Sequence, residues 1–343
     1  MGISADRSAP HMDGAVLSLD FGGTKLAAAV VDVGKGKIVS PVIRRQTPVS
    51  EGAGGTLQSM IECGKQALAS IDQPQLVKAV GISFGGPVST DRKSVLRSIH
   101  VSNWNNVSLV DEISRAFNLP AAMDNDGNVA ALGEWWFGGH RHLENLAYVQ
   151  TSTGVGGGLI FGNQLYRGAG LAAELGHHII ELNGPQCMCG RMGCLESICS
   201  GWAIARDGRA ALSKGADSSC PALAQLSGND PNAVDASMVF EACRALDPAC
   251  VKIVHRALDG LALMIANLVA TIDPQVVVIG GGLTRSRDIF ENYFMPVAQD
   301  LLHPFFKERC QIELSTLDGD ALLLGAALLT QEEAWGLNVK AEM

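Results

Sequence analysis

The 343-residue chain has few charged residues, few aromatic residues and a shortage of positive charge. Charged residues make up 18% of the chain and aromatic residues 5%, whereas 47% of the residues are hydrophobic. A chain of this composition can bury a large core and is not globally disordered. Its 26 lysine and arginine residues against 35 aspartate and glutamate residues give a net charge of −9. Because nucleic acid and anionic membranes repel such a chain, we expect neither as a partner.

The sequence also lacks an uninterrupted apolar run of about 18 residues, which a transmembrane helix requires. Residues 1–14 lack the apolar core of a secretory signal, and we expect them to be a disordered leader outside the fold. The nine cysteines are an odd number without a signal peptide. They favour a reducing, cytoplasmic location over a disulfide framework.

The length predicts two domains at about 150 residues each. Two stretches begin alike, with a strand, a glycine turn and a second strand, at residues 15–33 and 146–161. This repetition favours two related α/β domains. We assign residues 15–122 to a small N-terminal domain, which a last helix at about 325–343 rejoins, and residues 123–324 to a larger C-terminal domain.

Hydrophobic periodicity predicts further elements along the chain. One strand is predicted over residues 37–45 and one helix over residues 125–137. Residues 214–236 are rich in serine, aspartate, glycine and proline, and we interpret them as a loop.

Glycine is abundant, with 39 residues, and three glycine clusters follow predicted strands. Backbone N–H groups freed by glycine can bind phosphate oxygens, and an aspartate at a strand end can hold Mg²⁺. An ordinary hairpin turn is the alternative for each cluster, but three at strand ends together favour a nucleotide. The clusters are Asp20-Phe21-Gly22-Gly23-Thr24-Lys25, residues 151–158 with Thr153, Gly154 and Gly156, and Gly280-Gly281-Gly282.

Asp126 lies with Asn125 at the start of the predicted helix 125–137. A carboxylate at this place can accept the proton of a substrate hydroxyl while the oxygen attacks phosphorus. The helix N-terminus favours the ionised form of the carboxylate. Helix capping is the alternative interpretation of both residues.

The most specific pattern is a histidine followed by three cysteines, His177, Cys187, Cys189 and Cys194. One imidazole and three thiolates can make a closed tetrahedral Zn²⁺ site, which is structural because no position remains for water. His178 competes for the metal, and Cys199 is expected to point elsewhere.

Glu174 and Glu196 flank this cysteine pattern. With His177 they offer the acceptors and donors that a polyhydroxylated ligand needs. Two solvated surface glutamates are the alternative.

Together these motifs resemble the ROK family of sugar kinases and repressors, from about residue 15 to residue 330. The resemblance implies an α/β fold with two RNase-H-like domains of the actin-like ATPase type around a cleft, and a small zinc-stabilised loop. The segments that carry it are DFGGTK (20–25), MDNDGNVAALGE (123–134), STGVGGG (152–158), AAELGHH (172–178), CMCGRMGCLES (187–197), VVVIGGGL (276–283) and GDALLLGAAL (319–328).

The resemblance also implies roles for individual residues. The expected reaction is ATP- and Mg²⁺-dependent phosphorylation of a hexose, with glucose at O6 first, an N-acetylhexosamine as the alternative and a non-catalytic sugar sensor as a third. Asp126 would be the catalytic base, and His177 would bind both the sugar and a structural Zn²⁺. The sugar would contact Gly86, Asn125, Asp126, Glu174, His177 and Glu196. The nucleotide would contact Asp20, Gly22, Gly23, Thr24, Lys25, Thr153, Gly154, Gly156, Gly281 and Gly282.

Some choices stay open at this point. The chain has Gly85 where the family often has proline, Ser152 where it often has glycine, and His100 where it usually has asparagine. These departures leave the identity of the hexose open, and the donor could be ATP or polyphosphate. We expect a homodimer or homotetramer. The first strand begins too early for a preceding DNA-binding module, which argues against a repressor.

Overall fold

The computed structural model describes residues 14–98, 101–214 and 220–331. His100, nearly all of the predicted leader and most of the predicted last helix lie outside these residues. The described chain forms two compact units. The first unit comprises the residues up to Phe137 together with those from Asp320 onward, and the second unit is Gly138–Gly319.

Both units contain strands and helices. The strands are β1 (Ala15–Phe21), β2 (Lys25–Asp32), β3 (Lys37–Ile38), β4 (Ile43–Gln46), β5 (Val77–Phe84), β6 (Ala121–Asn125), β7 (Leu146–Thr151), β8 (Val155–Phe161), β9 (Gln164–Tyr166), β10 (Val276–Gly280) and β11 (Gln311–Leu314). The helices are α1 (Gly52–Ala69), α2 (Leu109–Phe117), α3 (Asp126–Phe137), α4 (Glu196–Cys199), α5 (Gly201–Ser213), α6 (Pro221–Ser227), α7 (Ala236–Arg244), α8 (Pro248–Ile272), α9 (Arg287–Ile289), α10 (Met295–Leu301), α11 (Pro304–Lys307) and α12 (Ala321–Leu329).

The two sheets have the same mixed strand order. The first runs β3-β2-β1-β5-β6, and the second runs β9-β8-β7-β10-β11. In each sheet the meander is antiparallel and the later strands are parallel. Two α/β units with mixed sheets are therefore confirmed.

The strand predicted over residues 37–45 is in fact two short strands, β3 and β4, which both pair with β2. Pro41 lies between them and cannot donate a hydrogen bond to the sheet. Instead, the Val30 N–H donates to Ser40 Oγ at 2.8 Å. The prediction was wrong because it counted β-forming residues and overlooked the missing donor.

Helix α12 belongs to the core of the first unit, although it follows the second unit in the sequence. Its residues are buried almost throughout, and it packs against α3, β1 and β5. A Cβ at Gly325 would overlap the Val129 carbonyl oxygen, and one at Gly81 would overlap the Ala326 carbonyl oxygen. Glycine at both positions lets α12 approach helix α3 and strand β5 closely.

The division between the units differs from the boundaries placed at residues 122/123 and 325. Strand β6 pairs with β5, and α3 packs on α12, so residues 123–137 lie with the first unit. The helix that rejoins this unit begins at Ala321.

The second unit is built around the long helix α8. One face of α8 contributes to the larger apolar core, together with residues of β7 and β10. By length and composition α8 could cross a membrane, but 56% of its most apolar window is buried, and core helices commonly pass the same test.

Of the predicted loop 214–236, residues 215–219 lie outside the described residues, and the remainder is not simply a loop, because α6 begins at Pro221. Asp247 caps two helices at once. Its Oδ2 accepts from Ala222 and Leu223 N–H, and its Oδ1 accepts from the first turn of α8. The loop prediction was wrong because the partner that stabilises α6 is 25 residues away in sequence.

Candidate active site and metal centre

The first glycine cluster forms the tight turn between β1 and β2. Gly22 N–H donates to Lys25 O at 3.1 Å, which closes the turn. Thr47 holds it from outside, since its Oγ1 donates to Gly22 O at 2.8 Å and its N–H donates to Thr24 O at 3.0 Å. The sequence analysis missed Thr47, because it follows β4 and carries no motif of its own.

Asp20 lies at the end of β1, next to this turn. Its Oδ1 accepts from Ser83 Oγ at 2.9 Å, since β1 and β5 are parallel and these two residues are opposite each other. Burial raises the pKa of Asp20 to about 7; the Ser83 hydrogen bond and Arg44 oppose this rise, and the charge of Asp126 adds to it. Ser83 was also missed, because sequence alone does not give the register of parallel strands.

Asp126 is the first residue of α3, directly after β6. Its Oδ1 accepts from Gly127 N–H at 2.9 Å, and a Cβ built on Gly85 would lie 3.7 Å from its Oδ2. Its charge acts on Asp20. The first unit thus brings Asp126, Asp20 and the β1–β2 turn close to one another.

Asn125 occupies the capping position of α3. Its Oδ1 accepts from Gly127 N–H at 2.9 Å, and its Nδ2 donates to Gly86 O at 3.1 Å. Asn125 and Asp126 therefore share the Gly127 N–H at the start of α3. Asp124 is buried. It accepts hydrogen bonds from Asn125 N–H and from Asn128 Nδ2 and so fixes the start of α3.

The second glycine cluster spans the turn of the β7–β8 hairpin and the start of β8. We call residues 151–155 the glycine hairpin; Thr151 pairs with Val155, and Ser152 N–H donates to Gly154 O at 2.9 Å. A Cβ at Gly156 would meet no heavy atom of the described residues within 4 Å, so the backbone there is open to a ligand.

The third glycine cluster lies against the glycine hairpin. Gly281 has φ +102°, and a Cβ there would overlap the Thr151 carbonyl oxygen. A Cβ at Gly282 would lie 3.3 Å from Ser152 Oγ. The second unit therefore brings two of the three predicted clusters together at the ends of β7 and β10.

The predicted metal ligands converge in the second unit. The ligand atoms of His177, Cys187, Cys189 and Cys194 all lie within 4.8 Å of one another. Cys189 Sγ is 3.7 Å from Cys194 Sγ, and Cys187 Sγ is 3.8 Å from His177 Nδ1. A tetrahedral zinc ion with Zn–S bonds of about 2.3 Å separates its sulfur ligands by about 3.8 Å, so the four side chains fit such an ion.

Two neighbouring residues lie outside this cluster. Cys199 is buried beside Thr151, as expected, and His178, which was expected to compete for the metal, is not among the four converging ligands. Burial opposes ionisation of Cys189, yet hydrogen bonds from Arg191 and the neighbouring thiols lower the pKa of Cys189 to about 6. Burial raises the pKa of Cys187 to about 12 and also raises the pKa of Cys194, so Cys189 is the thiol of the cluster that ionises most readily. The thiolate is the form that binds metal.

Glu174 and Glu196 lie beside His177. Glu174 Oε2 is 3.9 Å from His177 Nε2, the ring nitrogen that does not face Cys187. Burial raises the pKa of Glu174, the charge of His177 opposes this rise, and that of Glu196 adds to it. Glu196 is only 8% exposed, so the interpretation as a solvated surface residue is wrong for Glu196.

Comparison with known proteins finds sugar kinases among the relatives of this chain. The chain is 32% identical over 322 residues to a glucokinase of Thermotoga maritima, covering 94% of this chain and 98% of the relative. It is also 32% identical over 313 residues to an N-acetylmannosamine kinase of Yersinia pestis, covering 91% and 97%. The structure of a ROK family glucokinase from Streptomyces griseus with glucose and AMPPNP has a TM-score of 0.81 at 30% identity, covering 92% of this chain and 99% of that one.

The fold and these relatives define the chain as a sugar kinase. The ROK family model matches residues 16–333, nearly the whole sequence, and the chain belongs to the ROK family.

Proposed function

We propose that the chain transfers a phosphoryl group from ATP to a hexose, with glucose at O6 as the preferred acceptor. The observation that carries this proposal is the placement of Asp126 at the N-terminus of α3, close to Asp20 and the glycine turn of the same unit. A base beside a phosphate-binding turn is the arrangement that phosphoryl transfer requires. The similarity to the Thermotoga maritima glucokinase supports glucose as the acceptor.

In the proposed reaction Asp126 accepts the proton of the attacking hydroxyl. Gly22 closes the turn through its N–H, and the backbone N–H of Gly23, with Thr24 and Lys25, binds phosphate oxygens. Asp20 would hold Mg²⁺, which neutralises charge on the transferred group when bound. The half-buried, hydrogen-bonded Asp20 carboxylate suits that role, because oxygen ligands are what Mg²⁺ prefers.

The second unit supplies the remaining groups in this proposal. The glycine hairpin and Gly281-Gly282 bind the nucleotide, and Glu174, His177 and Glu196 bind hexose hydroxyls. A Zn²⁺ held by His177 Nδ1 and three thiolates would leave Nε2 protonated, so that it donates to the sugar. The metal would be structural, because four protein ligands close the site.

N-acetylmannosamine is the second candidate acceptor. A relative of that activity has the same 32% identity to the chain as the Thermotoga maritima glucokinase, over 313 residues instead of 322. The Gly85-Gly86-Pro87 sequence, near Asn125 in the first unit, is one of the departures from the family pattern that leave the identity of the hexose open.

The deciding experiment measures ADP release with Mg²⁺ and ATP on glucose, N-acetylmannosamine and N-acetylglucosamine. We expect the highest kcat/KM with glucose, and a parallel series with polyphosphate, followed by the formation of sugar phosphate, tests the donor. A higher kcat/KM with N-acetylmannosamine would show that N-acetylmannosamine, and not glucose, is the preferred acceptor. Sugar binding without turnover on any member would instead show a sensor. We further propose a cytoplasmic homodimer or homotetramer, and light scattering gives the oligomer mass.

A further inference from the structure

The glycine hairpin is bonded along its whole length to one short segment, residues 194–202. This segment begins at the metal ligand Cys194 and contains α4 and the start of α5. Four hydrogen bonds join the two: Thr151 Oγ1 to Cys199 O at 3.2 Å, Gly201 N to Ser152 O at 2.7 Å, Trp202 N to Thr153 O at 3.4 Å, and Val155 N to Glu196 Oε2 at 3.1 Å. The hairpin conformation therefore depends on the 194–202 segment.

Glu196 is the side chain that makes this connection. Its Oε2 accepts from Val155 N–H, and its Oε1 lies 3.9 Å from Cys187 Sγ. The contact with the hairpin is close, since a Cβ at Gly154 would be 2.7 Å from Glu196 Oε2. The absence of a side chain at Gly154 is thus what lets the buried carboxylate reach the hairpin.

We propose that Glu196 is a positioning residue that couples hexose binding to nucleotide binding by holding the glycine hairpin through Val155 N–H. The inference rests on the proposed function, which places the hexose at Glu196 and phosphate at the hairpin. Glu174 has no such bond to the hairpin among the described residues. Within the part of the chain that the structure describes, its carboxylate lies beside His177, and the side-chain bond to Val155 comes from Glu196.

The coupling has a simple physical origin. A hexose hydroxyl that donates to Glu196 fixes the carboxylate, and the fixed carboxylate orders the hairpin before the nucleotide arrives. Nucleotide binding then removes less conformational freedom from the hairpin, so the nucleotide binds more tightly. Linkage requires the reverse effect as well, and each ligand strengthens the other by the same factor, typically about 5–150-fold.

The test measures the Kd of AMPPNP with Mg²⁺ by calorimetry, with and without saturating glucose. We expect glucose to lower this Kd in the unaltered protein. In Glu196→Ala the Kd without glucose should rise roughly tenfold or more, because a charged hydrogen bond to the hairpin is lost. In Glu174→Ala, the matched control, glucose should bind more weakly while the Kd of AMPPNP without glucose stays unchanged.

Two further variants separate positioning from a general loss of structure. Glu196→Gln keeps an acceptor for Val155 N–H, so it should restore AMPPNP binding in the absence of glucose and still weaken glucose binding. Gly154→Ala should weaken AMPPNP binding in the unaltered background and have little additional effect in Glu196→Ala, since the clash then disappears. Metal content is measured for every variant, to confirm that the cysteine cluster is intact.

The outcomes are distinct. If the unaltered protein binds both ligands but Glu196→Ala leaves the Kd of AMPPNP and its response to glucose unchanged, Glu196 only binds sugar and the inference is overturned alone. If the unaltered protein binds neither ligand, the proposed function fails, and this inference fails with it.

Discussion

At the scale of single residues, Asn125 and Asp126 show how a helix start can carry chemistry. Asn125 accepts from Gly127 N–H in the capping position, and Asp126, the first residue of α3, accepts from the same N–H. The partial positive charge of the helix N-terminus stabilises the Asp126 carboxylate, and an ionised carboxylate can accept a proton.

Asp126→Asn should keep the fold and hexose binding but lower kcat by about 10²–10⁴-fold, the usual effect of losing a general base. Steady-state kinetics measure this, and calorimetry with the sugar shows that binding persists. The matched control is Asp111→Asn, which alters an exposed aspartate in the first turn of α2 and should leave kcat unchanged. Near-full turnover in Asp126→Asn would contradict a role of Asp126 as general base and would leave it a structural role only.

The residues that sequence analysis could and could not identify differ in a physical way. The metal ligands were predicted because their spacing along the chain carries the signal, whereas the roles of Asp126 and Glu196 were predicted from the resemblance to the ROK family. Thr47 and Ser83 were not, since each acts on a turn or a carboxylate that is distant in sequence. Only the register of the sheet brings such pairs together.

At the scale of elements, the loop that carries the cysteines is held by backbone hydrogen bonds around Gly193. Its N–H donates to Pro185 O at 2.8 Å, and its carbonyl accepts from Ile180 N–H at 2.9 Å. Bound metal would add to these bonds, because metal-binding energy at a structural site stabilises the fold.

Cys189→Ser should therefore lose the metal and lower the melting temperature together. Elemental analysis and calorimetric unfolding of the same sample measure both. Met188→Ser is the control, since Met188 is an exposed neighbour in the same loop and outside the cluster. An unchanged melting temperature in metal-free Cys189→Ser would contradict a structural metal.

Helix α12 offers a test of close packing between elements. Gly325→Ala should lower the free energy of unfolding by about 3 kcal/mol, because the added Cβ meets the Val129 carbonyl oxygen and backbone cannot move aside cheaply. Gly54→Ala in α1 should instead raise it by about 0.5–1 kcal/mol, since no heavy atom of the described residues lies within 4 Å of the new Cβ and alanine favours helix. Denaturant unfolding compares the two variants, and equal effects would refute the packing argument.

At the scale of the whole molecule, the two units differ in how the chain builds them, although their sheets have the same strand order. The second unit is one continuous stretch, Gly138–Gly319, with its own apolar core. The first unit is discontinuous, because α12 supplies part of its interior. The repeated opening pattern at residues 15–33 and 146–161 predicted two related units, and a last helix was expected to rejoin the first unit at about 325–343. In the structure that helix begins at Ala321 and packs against α3, β1 and β5.

The isolated segment Gly138–Gly319 should fold cooperatively and bind one metal ion through its cysteine cluster. A chain ending at Gly319 should retain this transition and lose the cooperative unfolding of the first unit, since one face of that sheet would stay exposed to water. Differential scanning calorimetry with metal analysis compares both with the full chain. A separate, unaltered transition of the first unit in the shortened chain would contradict the role of α12.

The late position of α12 also orders events on the ribosome. The strands of the first sheet are synthesised first, yet the helix that covers one side of them emerges only after the whole second unit has been made. The second unit can complete its core during translation. Until α12 is synthesised, the N-terminal sheet keeps an apolar surface exposed. The first unit is therefore synthesised first but folds last. Its exposed apolar surface is the part of the nascent chain that a chaperone would bind.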